Sequence, residues 1–205
     1  MTMPPKALEG NGAGLVREIA LAGRVQSGLE RLYRLERAAD VDGFVIAAGE
    51  GEREALLVRE GDDGVLEMSL RLPQLAGGLD PVCQIIEGVS HFVYLADRAA
   101  RGREATQLEL ELQAEVDKYV VLAASVERFD ESASRVLRER LYEGVSFEHA
   151  PGTELGERYR VANDHARRFT ARLEREFVSR ARFGELHAEL RRFFHFGQRE
   201  KLRAA

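Results

Sequence analysis

The sequence lacks several features that identify common classes of protein. Its 205 residues contain one cysteine, Cys83, so the chain cannot form an internal disulfide, which fits a reducing cytoplasm. No stretch approaches the roughly 18 consecutive apolar residues of a membrane-spanning helix, so we expect no membrane partner. No segment repeats another, and no run of residues matches a catalytic signature. These absences favour a non-enzymatic protein over an enzyme.

The rest of the composition is that of an ordinary folded protein. With 44% apolar residues, the chain is long enough to bury a core without a disulfide or a structural metal. Residues 1–12 lack the apolar core of a secretory signal, and they predict a flexible lead. Residues 13–205 predict a single domain.

Charge is divided unevenly along the chain, although its net value is only −5. Residues 158–205 contain 13 basic and 6 acidic residues, a net charge of +7, whereas the preceding residues contain 17 and 29, a net charge of −12. This division indicates an acidic partner for the basic C-terminal helices predicted over residues 155–203. That partner can be another protein or the rest of the same chain.

Two helices in the middle of the chain are the expected centre of the fold. Asp80 and Pro81 are typical of a helix start, and apolar residues then recur every three or four positions, with a polar stripe opposite. Residues 106–112 alternate as a strand would, but good helix formers without Gly or Pro favour a helix. With a tight turn at Gly102, the pattern predicts a helical hairpin over residues 81–128.

A small sheet is expected before this hairpin, after a first helix over residues 15–39. Residues 43–48 form an apolar run between glycines, and residues 55–59 and 65–72 flank a turn at residues 61–64. We therefore predict a three-stranded antiparallel sheet within residues 43–72. The predicted fold class is mainly helical α+β, with the helical hairpin at its centre.

One polar group in the hairpin is a candidate metal or acid–base site. Glu115 falls in the apolar stripe of the second helix, where an unpaired carboxylate is costly. A turn at Gly102 would bring Glu87 and His91 near Glu111 and Glu115, and facing helices of some bundles bind metals through such residues. The spacing of Glu87 and His91 differs from the usual Glu-x-x-His. A structural His–carboxylate pair, or a polar face turned to water or a partner, is therefore the favoured interpretation.

A second candidate site is a stripe of arginines on the helix predicted over residues 155–180. Its members are Arg160, Arg167, Arg168 and Arg175. Such a stripe can bind the phosphates of nucleic acid. The acidity of the whole chain and the lack of a nucleic-acid-binding motif favour instead a solvated face, or contacts with the acidic segment 104–131. An acidic protein partner is the third interpretation.

The favoured function is that of a cytoplasmic, non-enzymatic adaptor or regulatory protein. We expect it to act through helical surfaces, to form a homodimer and to need no cofactor. The first alternative is a metal-binding or acid–base enzyme that uses the Glu and His residues of the hairpin. The second is nucleic-acid binding through the arginine stripe.

Overall fold

A computed structural model describes residues 6–7, 15–60 and 66–204. In these residues the chain forms seven α-helices and four short β-strands, which confirms the predicted mainly helical α+β class. The chain divides into two compact units, Met1–Ala105 and Thr106–Ala205. A single domain over residues 13–205 stays a prediction. The predicted turn at residues 61–64 and most of the predicted lead lie outside the described residues.

The first unit combines two helices with a small sheet. Its helices are α1 (Val16–Tyr33) and α2 (Asp80–Ala100). Its strands are β1 (Lys6–Ala7), β2 (Val45–Ala47), β3 (Ala55–Glu60) and β4 (Leu66–Leu72). A short 3-10 turn, Val41–Phe44, leads into β2.

The sheet is mixed, so the prediction of a purely antiparallel sheet is wrong. β3 pairs with β4 in the antiparallel direction, with Leu57 opposite Ser69. β2 pairs with β4 in the parallel direction, with Ile46 opposite Arg71, and β1 is also parallel to β4. The physical reason is that β2 lies beside β4 instead of beside β3. β3 and β4 run in opposite directions. Since β2 also runs opposite to β3, it is parallel to β4, the strand that it pairs with.

Helix α2 approaches the sheet closely at Gly88. A Cβ atom at this position would lie 2.8 Å from Leu70 Cδ1 and 2.9 Å from Glu54 Oε2. Met68, Leu70 and Leu72 of β4 are buried, as their alternation predicts. The sheet and α2 therefore share one apolar core. Because residue 88 has no side chain, α2 can pack directly against Leu70 of β4.

The polar stripe predicted on α2 is not exposed. Gln84, His91, Tyr94 and Arg98 are buried and Glu87 is half-buried, although we expected a polar stripe there. Ile85, Val89, Phe92 and other apolar residues of the opposite side are buried as well. The Arg98 guanidinium pairs with the Tyr94 hydroxyl and lies 4.8 Å from the centroid of its ring. Hydrogen bonds and ring contacts of this kind allow polar side chains to be buried on a helix.

Helix α1 ends at Tyr33, earlier than the predicted residue 39. Arg34 adopts the left-handed conformation, with φ of 56°, which stops the helix. Gln26 then holds the following chain: its Nε2 donates to the Ala39 carbonyl at 2.7 Å, and its Oε1 accepts from the Val41 amide at 2.9 Å.

The second unit contains only helices in its described residues. They are α3 (Gln107–Ala124), α4 (Glu131–Tyr142), α5 (Glu154–Glu176), α6 (Phe183–His195) and α7 (Gln198–Arg203). The helix chosen for residues 106–112 is confirmed. A capping box starts it: the Thr106 hydroxyl accepts from the Glu109 amide at 3.2 Å, and the Glu109 carboxylate accepts from the Thr106 amide at 2.8 Å.

The core of the second unit includes an aromatic stack between α5 and α6. The rings of Phe169 and Phe193 are nearly parallel, and their centroids are 4.2 Å apart. Phe193 and Phe194 are both buried, so both residues belong to the core. Across residues 6–7, 15–60 and 66–204, no helix combines the length and the apolar content needed to cross a bilayer.

Candidate functional site

The four residues predicted as a metal or acid–base site lie on two helices of different units. Glu87 and His91 are one turn apart on α2, where His91 is buried and Glu87 is half-buried. Glu111 and Glu115 are one turn apart on α3, where Glu111 is buried and Glu115 is half-buried. Joint action of the four side chains stays a prediction.

The two glutamates of α3 have basic partners within the second unit. Glu115 Oε1 lies 2.8 Å from Lys118 Nζ, and Glu111 Oε1 lies 3.6 Å from Arg158 Nε. Burial of a carboxylate is tolerated when a cation compensates its charge. These pairs explain how α3 holds acidic residues among its buried apolar ones.

The arginines of the predicted stripe make contacts within the second unit. Arg167 and Arg168 both pair with Asp164, at 3.0 Å for Arg167 Nη2. These two ion pairs lower the pKa of the Asp164 carboxyl: the hydrogen bond from Arg167 contributes most, and partial burial opposes it. Arg175 lies 3.4 Å from Glu176 and is the most exposed of the four.

Arg160, the remaining member of the stripe, is tied to the loop before α5. Its guanidinium donates to the Gly156 carbonyl at 2.8 Å and to the His149 carbonyl at 3.1 Å. It also lies 4.7 Å from the centroid of the Phe147 ring. A phosphate group would therefore have to displace intramolecular partners of Arg160, and it would meet the Asp164 carboxylate beside Arg167 and Arg168.

A buried polar cluster that the sequence did not reveal joins α3, α4 and α5. We call it the tyrosine cluster: Tyr119, Ser134, Arg138 and Glu174. Ser134 Oγ donates to Glu174 Oε2 at 2.6 Å and lies 2.8 Å from the Tyr119 hydroxyl, which acts as donor to it. Arg138 adds two hydrogen bonds to the same carboxylate, at 3.1 and 3.2 Å. Burial raises the pKa of Tyr119 to about 12.

The chemistry of the tyrosine cluster is structural. A serine nucleophile needs a base that can take its proton and a path for the substrate. Ser134 is fully buried, and the carboxylate that accepts its hydrogen bond is already paired with Arg138. The cluster therefore fixes three helices together, and its serine hydroxyl has no access to solvent.

A second unforeseen cluster surrounds a buried lysine of α7. We call it the lysine cluster: Gln113, Asp117, Phe193 and Lys201. Lys201 Nζ donates to Gln113 Oε1 at 2.5 Å and to the Phe193 carbonyl at 2.9 Å. Gln113 Nε2 in turn donates to Asp117 at 2.9 Å. Since Lys201 is fully buried, this cluster also holds helices together and does not form an open site.

An unpaired strand edge is the third feature. β3 pairs with β4 along one edge, and no other described strand pairs with it. Its neighbouring residues Leu57 and Val58 are 42% and 45% exposed. The sequence predicted the strand, but pairing and exposure depend on the tertiary fold. An edge of this kind presents backbone donors and acceptors on which another chain can form a strand.

Comparison with known proteins adds no assignment to these features. The chain matches no protein-family model, no curated protein and no solved structure. Its function is therefore inferred from its own residues and their contacts.

Proposed function

We propose that the protein is a non-enzymatic adaptor or regulatory protein that binds another protein chain along β3. The observation that carries this proposal is the exposure of two apolar side chains, Leu57 and Val58, on a strand edge with which no other described strand pairs. Proteins commonly protect such an edge with a charge, a proline or a bulge. The charged residues of β3, Arg59 and Glu60, lie at its end, so residues 55–58 contain neither a charge nor a proline, and β3 pairs with β4 without a bulge.

The exposed apolar residues of the helices offer a weaker surface. The described part of each helix carries at most one large exposed apolar side chain. These residues are Val16 on α1, Val136 on α4, Leu155 on α5 and Phe183 on α6. Single apolar residues are normal on protein surfaces, whereas the exposed apolar residues of β3 lie beside an open backbone edge that another strand can pair with. We therefore place the binding surface on β3 and not on the helical surfaces expected from the sequence.

The polar clusters also support a binding role over catalysis. A catalytic side chain has to touch a substrate, but the tyrosine and lysine clusters are closed by their own hydrogen bonds. Ser134 and Lys201 have no exposed surface. The arginines nearest to solvent on α5 are ion-paired with Asp164 and Glu176.

Site-specific photocrosslinking tests the proposal. The variant Leu57→p-benzoylphenylalanine is irradiated in the cells that make the protein, and adducts are identified by mass spectrometry. The matched control is Val136→p-benzoylphenylalanine, because Val136 is 46% exposed on α4. We expect a defined protein adduct from position 57 and none from position 136. No adduct at position 57, or the same adducts at both positions, would overturn the proposal.

A further inference from the structure

We propose that the chain which pairs with β3 is a second copy of the same protein, and that the two β3 strands join in an antiparallel, two-fold symmetric dimer centred on Leu57. The proposal rests on the binding role given to β3 above. It adds the identity of the partner and the register of the pair.

Symmetry limits the registers that two identical strands can adopt. Side chains alternate between the two faces of a sheet, and directly opposite residues of neighbouring strands share a face. A two-fold axis between antiparallel strands is perpendicular to the sheet and keeps each residue on its own face. The axis must therefore pass between a residue and its own copy on the other strand, so the possible centres within the apolar run are Ala55, Leu56, Leu57 and Val58.

The length of the strand and apolar matching select the centre at Leu57. In that register Leu57 faces Leu57, Leu56 faces Val58 on both sides of the axis, and Arg59 meets Ala55. A centre at Leu56 or Ala55 would pair at most residues 55–57 of β3, because the strand begins at Ala55. A centre at Val58 would set Leu57 against Arg59 and Leu56 against Glu60. With the centre at Leu57, the apolar residues face one another, and Glu54, the residue opposite Glu60, precedes the strand.

The charges beside the edge favour an identical partner over a strongly charged one. Arg59 pairs with Glu67 across the sheet, and Arg53 lies 3.5 Å from Asp80. Arg71, on β4 next to β3, lies 2.9 Å from Glu52. The arginines near the edge are therefore compensated within the chain, so neither an acidic nor a basic partner gains from their charge. A second neutral apolar edge fits this surface, and two-fold dimers are the commonest symmetric assemblies.

Light scattering of the purified full chain is the first test. We expect a mass twice the 23.0 kDa of one chain, and a return to one chain in Leu57→Lys. In this variant the two lysines would face each other across the axis, so their charges would repel. The circular dichroism spectrum should show that the fold is unchanged, because residue 57 is exposed. Val136→Lys is the matched control and should remain dimeric. A wild type with the mass of one chain, or a Leu57→Lys variant that remains dimeric, would overturn the proposal.

Disulfide trapping tests the register in a Cys83→Ser background. Leu57→Cys should give a disulfide-linked dimer under mild oxidation, because the two copies of residue 57 face each other. Arg59→Cys should give no disulfide-linked dimer. The two copies of residue 59 would be about 13 Å apart along the strands, which is beyond the reach of a disulfide. Linkage through residue 59 and not residue 57 would contradict the register.

The crosslinking experiment separates this proposal from the broader one. An adduct of position 57 with the same chain supports the dimer. An adduct exclusively with a different protein would overturn the dimer and leave the binding role of β3 in place. No adduct of any kind would overturn both.

Discussion

The ammonium group of Lys201 lies 4.1 Å from the centroid of the Phe193 ring and donates a hydrogen bond to the carbonyl of the same residue. A lysine is very rarely buried in full unless its charge is compensated. Here the ring face, the Phe193 carbonyl and the Gln113 side chain surround the ammonium. This arrangement attaches α7 to α3 and α6.

Replacement of the buried ammonium should weaken the second unit. The variant Lys201→Met keeps most of the apolar length but removes the hydrogen bonds from Lys201 Nζ to Gln113 Oε1 and to the Phe193 carbonyl. We expect the free energy of unfolding to fall by about 2–4 kcal/mol, because two buried hydrogen bonds from a charged donor are lost. Urea denaturation measures the change.

Arg203→Met is the control for that measurement, because Arg203 is exposed on the same helix. Its effect should stay within about 0.5 kcal/mol. Equal stabilities of Lys201→Met and the wild type would show that the cluster does not contribute to folding.

The tyrosine cluster predicts a loss of stability at alkaline pH. Burial, with a smaller contribution from Glu174, raises the pKa of Tyr119 to about 12, against about 10 in an unfolded chain. Between these values the unfolded state loses a proton that the folded state keeps, so stability falls as pH rises, by up to about 1.4 kcal/mol per pH unit. Below pH 10 the contribution is fully present. Burial also raises the pKa of Tyr142, which acts in the same direction.

Urea denaturation from pH 7 to 11 checks this expectation with Tyr119→Phe. Above pH 10 the variant should lose less stability than the wild type, because one of the shifted groups is missing. Between pH 7 and 9 the two curves should run parallel, since Tyr119 stays protonated in both states. Identical slopes above pH 10 would contradict the role assigned to the buried hydroxyl.

Local sequence patterns predicted the elements well because their causes are local. Residues 106–112 alternate like a strand, yet helix propensity and the Thr106–Glu109 capping box decide in favour of a helix. The end of α1 was missed because the left-handed conformation of Arg34 has no marker such as glycine. Residues 198–203 lie within the predicted C-terminal helices, but the burial of Lys201, which anchors α7, is visible only in three dimensions.

Long-range partners explain what the sequence could not predict. The parallel pairing of β2 depends on which edge of β4 it reaches, and no local residue determines that edge. Lys201 and Gln113 are separated by 88 residues, and Ser134 and Glu174 by 40. Periodicity did predict the burial of Met68, Leu70 and Leu72, because one face of a strand is a local property. Periodicity also placed Arg98 on the polar side of α2, but it could not predict that this side is buried. Burial there depends on residues that are distant in the sequence.

His165 of α5 should titrate below the usual range of a histidine. Burial lowers the pKa of His165, and the nearby positive charge of Arg168 lowers it further, while Asp164 and a backbone hydrogen bond to Leu202 partly oppose the shift. We expect Arg168→Gln to raise this pKa, as measured by NMR titration of the imidazole. Arg167→Gln is the control and should leave it nearly unchanged. Equal shifts in both variants would rule out a specific effect of Arg168.

The sign of the matching stability effect follows from the direction of that shift. Since the pKa of His165 is lower in the folded state, the unfolded chain binds a proton first as the pH falls. The contribution of His165 to stability is therefore present above about pH 6.5 and decreases at lower pH. In Arg168→Gln the decrease should be smaller.

Replacement of Gly88 by alanine should lower stability, although Gly88 lies within a helix. Alanine is the better helix former by about 1 kcal/mol, so Gly→Ala on an open helix surface raises stability. At Gly88 the new methyl would lie 2.8 Å from Leu70 Cδ1, and Leu70 is fully buried in the core. Overpacking of this kind costs about 1–3 kcal/mol, so we expect Gly88→Ala to lower the free energy of unfolding.

Gly28→Ala on α1 is the matched control for Gly88→Ala. A Cβ atom at Gly28 would meet nothing within 4 Å, so only the gain in helix propensity remains, and stability should rise by about 0.5–1 kcal/mol. Urea denaturation of the two variants should therefore give changes of opposite sign. Stabilisation in both would mean that α2 can move away from β4 at little cost, and that the contact at Gly88 does not fix the distance between them.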